Sequence, residues 1–248
     1  MRKIFYGILL AIFLYLIIST VFLSKNKLDT QNLESTESTT EDITATKNYP
    51  TIVLDAGHGG FDPGKVGING ALEKDINLAI VKKLQTLLEG EGFTVFLTRE
   101  SDKILGPANS KSPKKDDMIE RISFIKDINP FFTISIHQNS FTNPSVTGPQ
   151  VFYYKDSEPS ATMAYVLQDV LNAKLNPEKK RAPQANQNYY LLTRTPTPTV
   201  IVECGFLSNS AEADLLTQDS YQDELAHAIF LGILSYYESV TSTQTPSE

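Results

Sequence analysis

The sequence predicts an α/β fold: one mostly parallel six-stranded sheet with helices on both faces, built as a single domain. Two observations predict it. Strand-like runs alternate with helix-like stretches from residue 49 to about 240, the order expected of a wound sheet. Several of those runs are apolar throughout rather than alternating, as strands buried on both faces are.

Before that domain come two segments of another kind. Ile4–Leu23 is twenty residues without a charge. As a helix it would be roughly 30 Å long, the thickness of a bilayer's hydrocarbon core. It ends in Val21-Phe22-Leu23 rather than a small-x-small cleavage site. Residues 1–23 are therefore read as an N-terminal membrane anchor, or a signal segment if cleaved; the charges on its two flanks barely differ and do not orient it, and the rest of the chain is expected outside the cytoplasm. Residues 24–48 hold nine Ser or Thr and few apolar side chains, too little apolar surface to order a chain. They are read as a flexible linker spanning about 25–30 Å.

Within the domain the strand-like runs are TIVLDA (51–56), TVFLT (94–98), FTISI (132–136), QVFYY (150–154), YYLLT (189–193) and TVIVE (199–203). A helix over 72–90 follows from Leu72, Ile76, Ile80, Leu84 and Leu87/Leu88 at 3.6-residue spacing. Further helices are expected over roughly 116–128, 158–176 and 220–238. The polar stretch 100–117 reads as a rim loop, and 241–248 as a disordered tail.

Composition narrows the function. The 248 residues carry 22 Lys plus Arg against 29 Asp plus Glu, a net charge of −7. That acidic balance argues against nucleic acid as a partner. A single cysteine, Cys204, excludes an internal disulfide framework and a multi-cysteine zinc module.

Ligands of open parallel sheets bind beyond the carboxyl ends of the strands. His58 follows TIVLDA in the loop GHGGFDPG, His137 follows FTISI, and Glu203 ends TVIVE. Glu73, at the start of the first helix, shares a face with Asn77 and Ile80. Two imidazoles and one carboxylate suit a catalytic zinc with an open position, and a second carboxylate could shuttle the proton of its water. That set points to metal-assisted hydrolysis of an amide or ester.

Each residue also has a duller explanation. Gly59 to Lys65 fits G-x-x-x-x-G-K, but Val66 lacks a hydroxyl and Pro63 lacks an N–H. Glu73 could serve only the helix macrodipole. His137 alone could be a structural histidine, and His227 has no partner motif. A carboxylate at the end of a buried strand, as at Glu203, is costly unless paired or used. A Cys204 nucleophile served by a histidine stays open as an alternative. The basic positions Lys111, Lys114 and Lys115, and Lys179, Lys180 and Arg181, could dock an acidic partner or simply be solvated.

AGHGG-x-D-P-G, Glu73 in LEKDINL, SIHQNS and VECGFLSNSAEADLL, in that order, resemble the zinc-dependent N-acetylmuramoyl-L-alanine amidases of the amidase-3 type. The resemblance covers about 51–238. It implies that His58, Glu73 and His137 bind Zn2+, that Glu203 is catalytic, and that Asn139 and Arg99 contact substrate. Arg121 also resembles a recurring family position. The implied reaction is cleavage of the amide between muramic acid and L-alanine in peptidoglycan. The short layout and GPQVFYY further resemble the germination-specific amidases of the spore cortex. Ser140 and Cys204 depart from the commonest family residues without touching the four site positions. With no wall-binding repeat, targeting would come from the anchor or from an envelope or lipoprotein partner. A zinc peptidase cutting the stem peptide and a non-catalytic wall-binding module are the alternatives.

Overall fold

The computed structural model describes residues 49–242 except 108, 176 and 178. The expected membrane segment, the linker and residues 243–248 of the expected tail lie outside the described residues. The elements run β1 (Thr51–Ala56), α1 (Glu73–Glu91), β2 (Thr94–Leu97), α2 (Pro113–Ile128), β3 (Thr133–Asn139) and β4 (Gln150–Tyr154). There follow α3 (Glu158–Lys174), β5 (Gln184–Asn186), α4 (Tyr190–Arg194), β6 (Thr199–Phe206), α5 (Ser210–Leu216) and α6 (Asp219–Ser242). The six strands form one sheet in the order β2-β1-β3-β6-β4-β5. Every pairing is parallel except that of β4 with β6. This is the expected architecture.

Alternation along the strands divides the interior in two. Ile52 and Leu54 of β1, Ile134 and Ile136 of β3, and Val200 and Val202 of β6 join a cluster with Ile80 and Leu84 of α1, Leu167 of α3 and Ile229 of α6. Each fully buried side chain of this kind contributes about 1.5–3 kcal/mol. Gly232 lets α6 close on α3, since a Cβ there would stand 2.6 Å from Leu167 Cδ2. On the opposite face Val53 packs with Ile122, Ile125 and Leu191, while Phe152, Leu192 and Ile201 form a third cluster. That second face, covered by α2 and α4, carries His137 and Glu203.

Several elements differ from the sequence expectation. The run at 189–193 contributes the short helix α4 instead of a strand, and the edge strand is β5. Leu191 and Leu192 explain the exchange: they enter two different clusters, which neighbouring residues on a helical turn can do. α2 begins at Pro113, three residues early, because proline is tolerated in a helix's first turn. α5 has no counterpart in the sequence reading; Asn209 Oδ1 caps it by accepting from Glu212 N–H at 3.0 Å. β3 and β6 both run past their expected ends, so His137 and Glu203 lie within strands. At the far terminus Thr241 and Ser242 continue α6.

Candidate metal centre

His58 stands just beyond β1 with φ at 62°, a left-handed conformation rare outside glycine. Two buried arginines hold it there. Arg121 donates from Nη2 to the His58 carbonyl at 2.6 Å and from Nη1 to that of Ala56 at 2.8 Å. Arg99 donates from Nε to the Ala56 carbonyl at 2.8 Å and from Nη2 to those of Gly57 at 3.1 Å and Lys74 at 2.7 Å. Three consecutive carbonyls are thus satisfied, and the same Arg99 ties the loop to the residue after Glu73.

Both guanidiniums are 1% exposed, so their charge must be matched nearby. Arg121 meets Asp55 Oδ1 at 2.5 Å and Asp117 Oδ2 at 2.8 Å. Burial pushes the Asp55 carboxyl upward, but Arg121 and the Ser135 and Thr98 hydroxyls outweigh it and lower its pKa to about 2. Arg99 faces backbone carbonyls and does not line the cavity described below. Its place is that of a clamp under the loop, not of a substrate contact.

Glu73 opens α1 and is 2% exposed. Its Oε1 lies 3.2 Å from His58 Nε2 and 2.9 Å from His137 Nδ1. Oε1 also accepts the Gln138 N–H at 3.1 Å, and Oε2 the Lys65 N–H at 2.7 Å. Burial disfavours its charge, yet hydrogen bonds with His137 and His58 outweigh that and hold its carboxyl far below the ordinary range. Gly57 makes room for the imidazole: a Cβ there would fall 2.2 Å from His137 Cε1. Asp62 completes the first histidine, its Oδ2 2.9 Å from His58 Nδ1. With an N–H at Nδ1 donating to that carboxylate, Nε2 is the nitrogen left to serve a metal.

One ligand atom from each of His58, Glu73 and His137 lies within 4.8 Å of the others. Bonds of about 2.0–2.2 Å to a tetrahedral ion place neighbouring ligand atoms at such separations, and an N2O set leaves a fourth position free. The residues therefore fit a divalent metal of the zinc type.

Glu203 is the register partner of His137 across the β3–β6 pair. It is 8% exposed, and its Oε2 has no hydrogen-bond partner among the described residues. Desolvation is the main cause that pushes its pKa up to about 7; the His137 charge opposes and the Glu73 charge adds. A buried carboxylate with a free oxygen and a near-neutral pKa is suited to taking and returning a proton. Both residues open onto a cavity of about 480 Å³ that also exposes His58, Asp62, Lys65, Glu73, Lys114, Asn139, Tyr189 and Tyr190. Asn139 lines it while its Oδ1 accepts the Ser140 N–H at 2.8 Å.

The remaining candidates fall elsewhere. Cys204 is fully buried on the opposite face of the sheet, and burial pushes its thiol far up, so it is no nucleophile. His227 lies on α6, away from this cavity, in a groove with Lys83 and Asp223. Asp62 went unread in the sequence, although it belongs to the GHGGFDPG motif, and Arg121, left open there between structural pairing and substrate contact, is paired with Asp55 and Asp117.

Residues 52–235 match the family profile described as N-acetylmuramoyl-L-alanine amidase. The chain is 36% identical over 189 residues to the germination-specific N-acetylmuramoyl-L-alanine amidase of Bacillus subtilis, covering 75% of this chain and 79% of that protein. The amidase AmiA of Escherichia coli is 28% identical, with 75% of each chain covered. Among solved structures, the CwlD amidase of Clostridioides difficile in complex with the GerS lipoprotein superposes with a TM-score of 0.74 at 38% identity. That match covers 77% of this chain and 99% of that one. The catalytic domain of CwlV from Bacillus (Paenibacillus) polymyxa gives 0.67 at 28% identity, covering 76% and 98%.

Proposed function

Because the chain belongs to the N-acetylmuramoyl-L-alanine amidases, we propose that His58, Glu73 and His137 hold a zinc ion and that Glu203 is its catalytic base. As an amidase the enzyme hydrolyses the bond between the lactyl carboxyl of N-acetylmuramic acid and L-alanine of the peptidoglycan stem. The observation that carries the assignment of roles is the convergence of three ligand atoms within 4.8 Å beside the unpartnered Glu203 Oε2.

A bound zinc ion would supply Lewis-acid activation of water and of the scissile carbonyl. The chain's own residues do the rest. Glu203 takes a proton from the attacking water at Oε2 as the new C–O bond forms. It then gives that proton to the departing alanine nitrogen as the C–N bond breaks. Asn139, which lines the cavity, would contact the substrate.

The biological setting belongs to the same proposal. Likeness to the germination-specific amidase supports the spore cortex as the wall that is cut. The GerS-bound relative supports a lipoprotein partner. Ile4–Leu23 would anchor the domain outside the cytoplasm, with residues 24–48 as its tether. Digestion of purified cortex followed by mass analysis tests the reading. The expected products are intact glycan and stem peptides with a free L-alanine amino terminus; cleavage inside the stem would overturn it.

A further inference from the structure

One cation in the cavity wall is joined to the metal-site loop. Lys114, in the first turn of α2, donates from Nζ to Asp62 Oδ1 at 2.7 Å. The other Asp62 oxygen is 2.9 Å from His58 Nδ1, and Oδ1 also accepts the Gly64 N–H at 3.3 Å. Lys114 is therefore one carboxylate and one imidazole away from the proposed ligand set. Its side chain remains 67% exposed and lines the cavity, so two of its three N–H donors can face a ligand. Lys111 and Lys115, its basic neighbours in sequence, do not line that cavity.

Two cations, Lys65 and Lys114, line the cavity beside the carboxylates of Asp62, Glu73 and Glu203, and of the two Lys114 is the one joined to His58 through Asp62. An anionic substrate entering it meets like charge unless a cation intervenes. The stem peptide is such a substrate. Its second residue, a D-glutamate joined through its side-chain carboxyl, leaves its α-carboxylate free. In an extended peptide that carboxylate sits about 7 Å from the alanine nitrogen of the scissile bond. A group bound there touches the wall of the cavity, not the ion.

We propose that Lys114, held in place by Asp62, is the contact for the α-carboxylate of the second stem residue, and that it makes the enzyme selective for the free acid over the amide. This rests on the amidase reading and names a specificity element within it. The lysine contributes binding, not chemistry, so it acts on KM. A charge-assisted hydrogen bond at a partly exposed site is worth about tenfold in affinity.

The test uses the full-length chain in detergent and soluble glycan strands whose stems carry either D-isoglutamate or D-isoglutamine at the second position. The wild-type enzyme should favour the acid about tenfold in kcat/KM, through KM. Lys114→Met should bring the two substrates within twofold of each other; Lys114→Arg should restore the preference. A structural role alone would lower turnover of both substrates alike. Equal wild-type rates on acid and amide, or a preference that survives Lys114→Met, would overturn the contact and leave the amidase standing. No turnover of either substrate would overturn both.

Discussion

His137 of β3 and Glu203 of β6 face each other as register partners in parallel strands. Neighbouring strands lie about 4.8 Å apart, so this pairing delivers an imidazole and a carboxylate to one small volume. The proposed ligand and the proposed base are thereby set by the backbone ladder. Glu203→Gln keeps the shape and removes the proton acceptor. Zinc content and thermal midpoint should stay near wild type while turnover falls at least about 100-fold. Retained turnover would reassign the base, and lost zinc would make Glu203 a ligand.

The three proposed ligands should behave as a set. His58→Ala, Glu73→Ala and His137→Ala should each lose most of the roughly one zinc per chain. Metal analysis after gel filtration reads this directly. A Glu73 variant that still held a full equivalent would remove that residue from the set.

Asp62 touches His58 Nδ1 and no other imidazole. Asp62→Asn presents an amide in place of the carboxylate and weakens the hold on the ring. Zinc affinity, measured by competition with a chromogenic chelator, should fall about 10–100-fold. Unchanged affinity would mean that the loop alone fixes the ring.

Protonation should compete with the metal. Burial lowers the pKa of His137, but the hydrogen bond and charge of Glu73 outweigh it and raise it from 6.5 to about 9 in the metal-free protein. The imidazole must shed that proton to offer Nδ1. Apparent zinc affinity should therefore rise with pH up to about 9, by about tenfold per unit where one proton is displaced. Metal-free stability runs the other way. A raised folded-state pKa gives a contribution fully present below 6.5 and lost as pH climbs through about 9. Glu203, raised from 4.5 to about 7, adds a loss of the same sign across its own window. Thermal melts of chelator-treated protein from pH 5 to 9 check this; a midpoint rising over that range would contradict it.

Much of the site was legible in the sequence because its residues sit where strands end. Apolar runs mark β1, β3 and β6, and a parallel sheet must bring their exits to one edge. Helical spacing put Glu73 on the face it shares with Asn77 and Ile80, and the family resemblance implied its role. What was hidden has a physical reason. Four apolar letters at 189–193 suit a strand or a buried helical turn equally, and only the two separate clusters of Leu191 and Leu192 decide between them. The true edge strand, Gln184–Asn186, has no apolar run to announce it. Arg99 was expected to contact substrate, and Arg121 was matched to a family position without a role. Both grip backbone carbonyls, which leave no mark in a sequence, and Arg121 adds Asp55 and Asp117.

Those two arginines also bear on timing. They grip the carbonyls of Ala56, Gly57 and His58 through bonds in which no ion takes part. A zinc finger needs its metal in order to fold; here the receptor is cast along with the sheet, and an arriving ion has little chain left to order. Such a loop would take up a metal without a folding step of its own.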